Sequence, residues 1–121
     1  MKMIRSFLLG IALLALALPS GSFAQTPSVT TNRSVVIAAG NTFQVILAPG
    51  RWSSLTIQNN NSVDSCWIAF GNTITAANAT KAESILLAAA QSYTRYYPYI
   101  PNDEIEGTCT NTSDTIYVDT Q

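Results

Sequence analysis

The stretch 42-TFQVILAPGRWSSLTIQNNN-61 decides the fold. Its first segment, 42-TFQVIL-47, alternates: Phe43, Val45 and Leu47 fall on one face, Thr42 and Gln44 on the other. Turn chemistry follows in 49-PGR-51, and 54-SLTIQ-58 alternates again with Leu55 and Ile57 on the inward side. A period of two on both sides of a short turn is the pattern of antiparallel strands with one buried face. The residues 59-NNNSVDS-65 tolerate turn geometries and read as a polar loop.

The same grammar continues in both directions. Further strands are predicted at 34-SVVIA-38, 66-CWIAF-70, 84-SILLA-88, 93-YTRYY-97, 105-IEGTCT-110 and 115-TIYVD-119. Within 66–70, Cys66, Ile68 and Phe70 share a face and Trp67 takes the other. Residues 71–83 form a long Asn/Thr/Ala loop with room for one helical turn around 76–83. Short strands at spacings of roughly 8–12 residues, with turn signals between them, predict an all-β domain. The expected architecture is about eight short antiparallel strands in a jelly-roll-like β-sandwich over residues 34–121, stapled by one disulfide.

The N-terminal segment reads differently. Lys2 and Arg5 precede the apolar run 7-FLLGIALLALAL-18, Pro19 to Gly21 break it, and 22-SFA-24 places small residues where a signal peptidase cuts. That run is shorter than the roughly 20 residues a membrane-spanning helix needs. The expectation is a removed signal peptide over 1–24, a flexible lead-in over 25–33, and a periplasmic or extracellular mature chain without a membrane span. Beyond residue 24 the chain has four basic and seven acidic side chains, so nothing forms the basic footprint that nucleic acid requires.

Two cysteines, Cys66 and Cys109, are expected to pair in an exported chain and to tie the fourth strand to the seventh. Closing a loop of that length stabilises the fold by about 4 kcal/mol in the chain-entropy treatment. There is no histidine, which excludes Ser-His-Asp and Cys-His nucleophile systems and histidine-bearing zinc sites. A Ser–Lys arrangement would need Lys81 and Ser84, a spacing common by chance on a loop. Asp103, Glu104 and Glu106 are the one dense supply of carboxylates. They offer hard oxygen ligands for calcium, with Asp114 across a hairpin as a further ligand, but at no EF-hand spacing; solvated corner charges are the competing reading. Neither an enzyme nor a cofactor is expected.

The aromatics are the other candidates. In 93-YTRYY-97, Tyr93, Arg95 and Tyr97 share one face and Thr94 and Tyr96 the other. One face of a two-layer sandwich is solvated, so one of these sets is exposed. If it is the first, then Tyr93, Arg95 and Tyr97, with Tyr99 and with Trp52 just after its turn, make a surface suited to a sugar or a protein partner. The competing reading packs the tyrosines into a half-buried edge with their hydroxyls in water. Trp67 is placed as a cap on the sheet beside the disulfide.

The order 54-SLTIQNNN-61, then 70-FG-71, then 84-SILLAAAQSY-93 resembles a loose group of small phage- and prophage-associated β-sandwich proteins. The likeness covers about residues 35–97, and Ala89 and Ala90 stand where that pattern usually has Pro-Gly. The resemblance implies a structural or assembly role with self-association and brings no catalytic residues. Together these readings give an exported, non-enzymatic binding or adhesion module contacting protein or carbohydrate, with a phage-derived decoration-type component as the alternative.

Overall fold

The computed structural model describes residues 31–71 and 73–121; the expected signal segment and the lead-in up to residue 30 lie outside the described residues. Eight strands follow in order: β1 (Thr31–Val36), β2 (Gln44–Leu47), β3 (Ser54–Asn59), β4 (Cys66–Phe70), β5 (Ile85–Leu87), β6 (Ser92–Tyr96), β7 (Ile105–Cys109) and β8 (Thr115–Thr120). A short 3-10 turn, Lys81–Glu83, interrupts the long connection before β5. The first strand starts earlier than the 34–38 that its apolar residues suggest. Its polar half is held by β8, which pairs with it from Thr31↔Thr120 to Val36↔Thr115.

All pairings are antiparallel, and they follow one rule. β1 pairs with β8, β2 with β7, β3 with β6 and β4 with β5, as in a single long hairpin whose tip is the β4–β5 connection. Rolling that hairpin sets β8 beside β3 and β7 beside β4, giving two four-stranded sheets of order β1-β8-β3-β6 and β2-β7-β4-β5. This is the jelly-roll arrangement.

The core lies between the sheets and is built from the inward set of each strand. Leu55 and Ile57 of β3, Ile68 of β4, Ile105 of β7, and Ile116 and Val118 of β8 have no exposed surface. Each such side chain contributes roughly 2 kcal/mol of transfer free energy. At the centre of β7, Gly107 has no room for a side chain: a Cβ there would lie 2.9 Å from Ile46 and 3.0 Å from Ile116. Cys66 and Cys109 sit directly opposite one another in the β4–β7 register and form the expected disulfide.

One local expectation is corrected. The β2 register shifts between Val45 and Leu47, so Ile46 and Leu47 are both buried while Val45 is 42% exposed. An extra residue on an edge strand turns the alternation over at that point. The Ile46 carbonyl accepts a hydrogen bond from the guanidinium of Arg33, which reaches across from β1 in the other sheet. Arg33 pairs with buried Val118, so this cation points inward on an edge strand, where it also discourages pairing with another chain.

Candidate functional site

The register between β3 and β6 settles which tyrosines face water. Arg95 pairs with Leu55 and Tyr93 with Ile57, both core positions, so Tyr93 and Arg95 point between the sheets. The Tyr93 ring lies 5.6 Å from the ring of Phe70, which ends β4 in the opposite sheet. The Arg95 guanidinium sits 5.0 Å from the Phe70 ring and 5.3 Å from that of Tyr93, donates from Nε to the Tyr93 hydroxyl, and donates from Nη1 to the Tyr99 carbonyl at 3.2 Å. These two candidate surface residues therefore close the open side of the sandwich. On the outer face Thr94 shares a 3.1 Å hydroxyl contact with Thr56, and Tyr96 is exposed.

The other three candidates do reach solvent-facing ground. The connection from β2 to β3 and the one from β6 to β7 meet because their strands pair. Tyr97 N–H donates to the Ser53 carbonyl at 3.0 Å, and Gly50 N–H donates to the Asn102 carbonyl at 3.1 Å. A cis Tyr97–Pro98 bond and a turn closed by Tyr99 N–H to the Tyr96 carbonyl follow the strand. Ile100 is then buried, which pins the connection to the core and leaves Tyr97 and Tyr99 outside, at 76% and 77% exposure. Trp52 packs on the core with its indole laid over Gly50, where a Cβ would come within 2.4 Å of the ring.

Between these segments lies a cleft of about 210 Å³ lined by Arg51, Trp52, Tyr97, Pro98, Ile100 and Asn102. That volume falls below the roughly 300 Å³ of pockets for drug-sized ligands, so it accommodates a single ring or side chain. Trp52 and Tyr97 are thus brought together, Tyr99 stands beside them, and Tyr93 and Arg95 belong to the interior. Sequence reasoning missed Arg51, Pro98, Ile100 and Asn102. The signal for them was present as two turn-rich connections, 48–53 and 98–104, flanking strands that pair.

Electrostatics set the cleft apart. Of the four basic side chains among the described residues, Arg33 is engaged by Ile46, Arg95 by Tyr93 and Tyr99, and Lys81 by Asn41. The Lys81 ammonium also lies 3.7 Å over the Trp67 ring on the outer face of the second sheet, while Ser84 donates to the Thr80 carbonyl at 2.6 Å. Arg51 is the one basic side chain without such a partner among the described residues, and it is exposed at the mouth of the cleft.

Within the acidic segment Asp103 and Glu104 are half-buried, but Glu106 is not the solvated charge that composition suggests. Glu106 lies within β7 between Val45 and Ala69 of its neighbours, and it is fully buried with neither carboxylate oxygen hydrogen bonded. Burial raises its pKa to about 7, reinforced by the charges of Glu104 and Asp103. Whether a strand's outer face is covered is decided by the rest of the fold. Here Ala69 and Thr108 on that face are buried too. Asp114 accepts a 3.0 Å hydrogen bond from Asn111 N–H within its own hairpin. Among the described residues no group of three or more His, Cys, Asp or Glu side chains is placed to hold a metal ion.

Compared with known proteins, the chain matches no family model, no curated protein and no solved structure. Among the described residues, no helix is long and apolar enough to cross a membrane.

Proposed function

We propose that this chain is an exported, non-enzymatic binding module that contacts carbohydrate or protein through the cleft between Trp52 and Tyr97. The observation that carries the reading is the pairing of two aromatic walls on anchored backbone. The indole is seated on Gly50, and the phenol is held by a connection that Ile100 and the Gly50–Asn102 hydrogen bond fix to the core. Rigid aromatics lose little conformational entropy on binding and present both an apolar face and a polar handle. Export is supported by the Cys66–Cys109 disulfide, a bond that persists in oxidising compartments. A non-enzymatic role is supported by the burial of Glu106, which has no surface open to a substrate.

The test is retention on a glycan array and on immobilised candidate proteins, native chain against Tyr97→Ala. Equal retention of the two, with both folded, would defeat the reading. The second reading is a structural or assembly component of phage-derived origin. It draws on the order of strand and turn segments in 54–61, 70–71 and 84–93, and on the jelly-roll topology, which capsid and lectin domains share. Sedimentation at rising concentration separates the two, because an assembly component must associate with itself.

A further inference from the structure

The cleft joins three kinds of group that seldom coincide by packing need alone. Trp52 and Tyr97 give flat apolar surface, Asn102 gives an amide at the rim, and Arg51 gives a cation that no other described side chain neutralises. Aromatic surface beside hydrogen-bonding groups suits a sugar ring. A guanidinium suits a carboxylate, which it can bind with two parallel N–H···O bonds. Asp103 and Glu104 follow Asn102 in the chain, but neither lines the cleft. The volume of about 210 Å³ is sized for one ring.

We propose that the cleft binds a carboxylate-bearing sugar of the hexuronic type, with the carboxylate on Arg51 and the ring against Tyr97 and Trp52. This inference rests on the binding-module reading above and narrows it to acidic polysaccharide. Arg51 then supplies specificity, and the aromatic walls supply affinity common to charged and neutral sugars. Such a contact is exposed at the rim, so it weakens as salt is raised.

The experiment titrates the native chain, Arg51→Gln and Tyr97→Ala with oligogalacturonate, with its methyl ester and with a neutral cello-oligosaccharide, followed by tryptophan fluorescence. The ester keeps the ring and removes the charge. The expected result is that oligogalacturonate binds the native chain about tenfold more tightly than its ester. Arg51→Gln abolishes that preference while keeping the weak binding of the ester, and Tyr97→Ala weakens both. Equal affinity for acid and ester, or a preference that survives in Arg51→Gln, overturns the inference and leaves the carbohydrate reading standing. Binding of none of the three overturns the inference too, and with it the carbohydrate form of that reading. A protein ligand lost on Tyr97→Ala would then show that the module itself survives.

Discussion

The side-chain oxygen of Asn59 accepts two hydrogen bonds from Asn61, one from its backbone N–H at 3.0 Å and one from its Nδ2 at 2.7 Å. Asn59 is fully buried at the end of β3, and its own Nδ2 lies 2.7–3.0 Å from the carbonyls of Asp64, Leu87 and Ala88. Asn61 reaches on to Thr115, accepting from its N–H at 3.0 Å, and its Nδ2 lies 3.4 Å from the Cys66 sulfur. Two asparagines thereby join β3, the β3–β4 loop, the end of β5, β8 and the disulfide at one end of the sandwich.

Removing that hub should cost far more than its size suggests. Asn59→Ala removes the donor from the buried Leu87 carbonyl and the part-buried Asp64 and Ala88 carbonyls, and roughly 3 kcal/mol of stability should be lost. In a domain this size that lowers the melting temperature by more than about 10 °C. The neighbouring Asn60 is exposed, so Asn60→Ala should stay within about 0.5 kcal/mol of the native chain. Thermal melts of the two variants decide it; similar midpoints would mean that Asn59 is not the anchor.

The adjoining turn offers the opposite experiment. Gln91 N–H closes on the Ala88 carbonyl at 3.0 Å, and Ala90 has φ +59°, the left-handed region that favours glycine. A hydrogen-bonded turn with positive φ at its third position prefers Pro-Gly in the middle. The Ala89 N–H makes no backbone hydrogen bond among the described residues, so proline removes none. Ala89→Pro/Ala90→Gly should therefore stabilise the fold by about 1 kcal/mol. Denaturant midpoints measure it, and an unchanged or lower midpoint would count against the turn geometry.

Glu106 makes stability fall as pH rises. An unfolded glutamate releases its proton near 4.5, whereas Glu106 in the fold holds it to about 7. Between those values the folded chain carries the extra proton, so each step up in pH favours unfolding. Below 4.5 the group costs nothing; above 7 the whole penalty is present, about 3 kcal/mol. Glu104 and Asp103 add negative charge, and the paired residues Val45 and Ala69 carry none to offset it. Urea midpoints should be higher at pH 5 than at pH 8, and Glu106→Gln should remove most of that difference. A native midpoint that climbs from pH 5 to pH 8 would refute the assignment.

How much of this was legible follows from what each signal depends on. The eight strands and the cysteine pair show in the sequence because period-two alternation, turn residues and an even cysteine count are local properties. The β2 bulge does not show, since one extra residue leaves 42-TFQVIL-47 with the same apolar content whichever way it is counted. Asn59 looks like its two neighbours and differs only in ending a strand on the inward face. Glu106 looks solvated because nothing in 102–106 reveals that the outer face of β7 is closed over. The cleft depends on two connections far apart in the chain, 48–53 and 98–104, which the β2–β7 and β3–β6 pairings bring together.

The end of β6 at Tyr96 separates Tyr93 from Tyr97, four residues apart, into different roles. Tyr93 fills the space against Phe70 and gives Arg95 its hydroxyl acceptor, so Tyr93→Ala should destabilise the domain by roughly 2 kcal/mol. Tyr97 is exposed and its backbone, not its ring, holds the strand to Ser53, so Tyr97→Ala should change stability by less than about 0.5 kcal/mol. Ligand binding should respond in the reverse order. Tyr97→Ala removes one wall of the cleft and should weaken binding about tenfold or more, while Tyr93→Ala below its own melting transition should bind as the native chain does. Paired melts and binding titrations read both effects. Loss of binding in Tyr93→Ala with Tyr97→Ala unaffected would move the site from the cleft to the side of the sandwich that Arg95 closes.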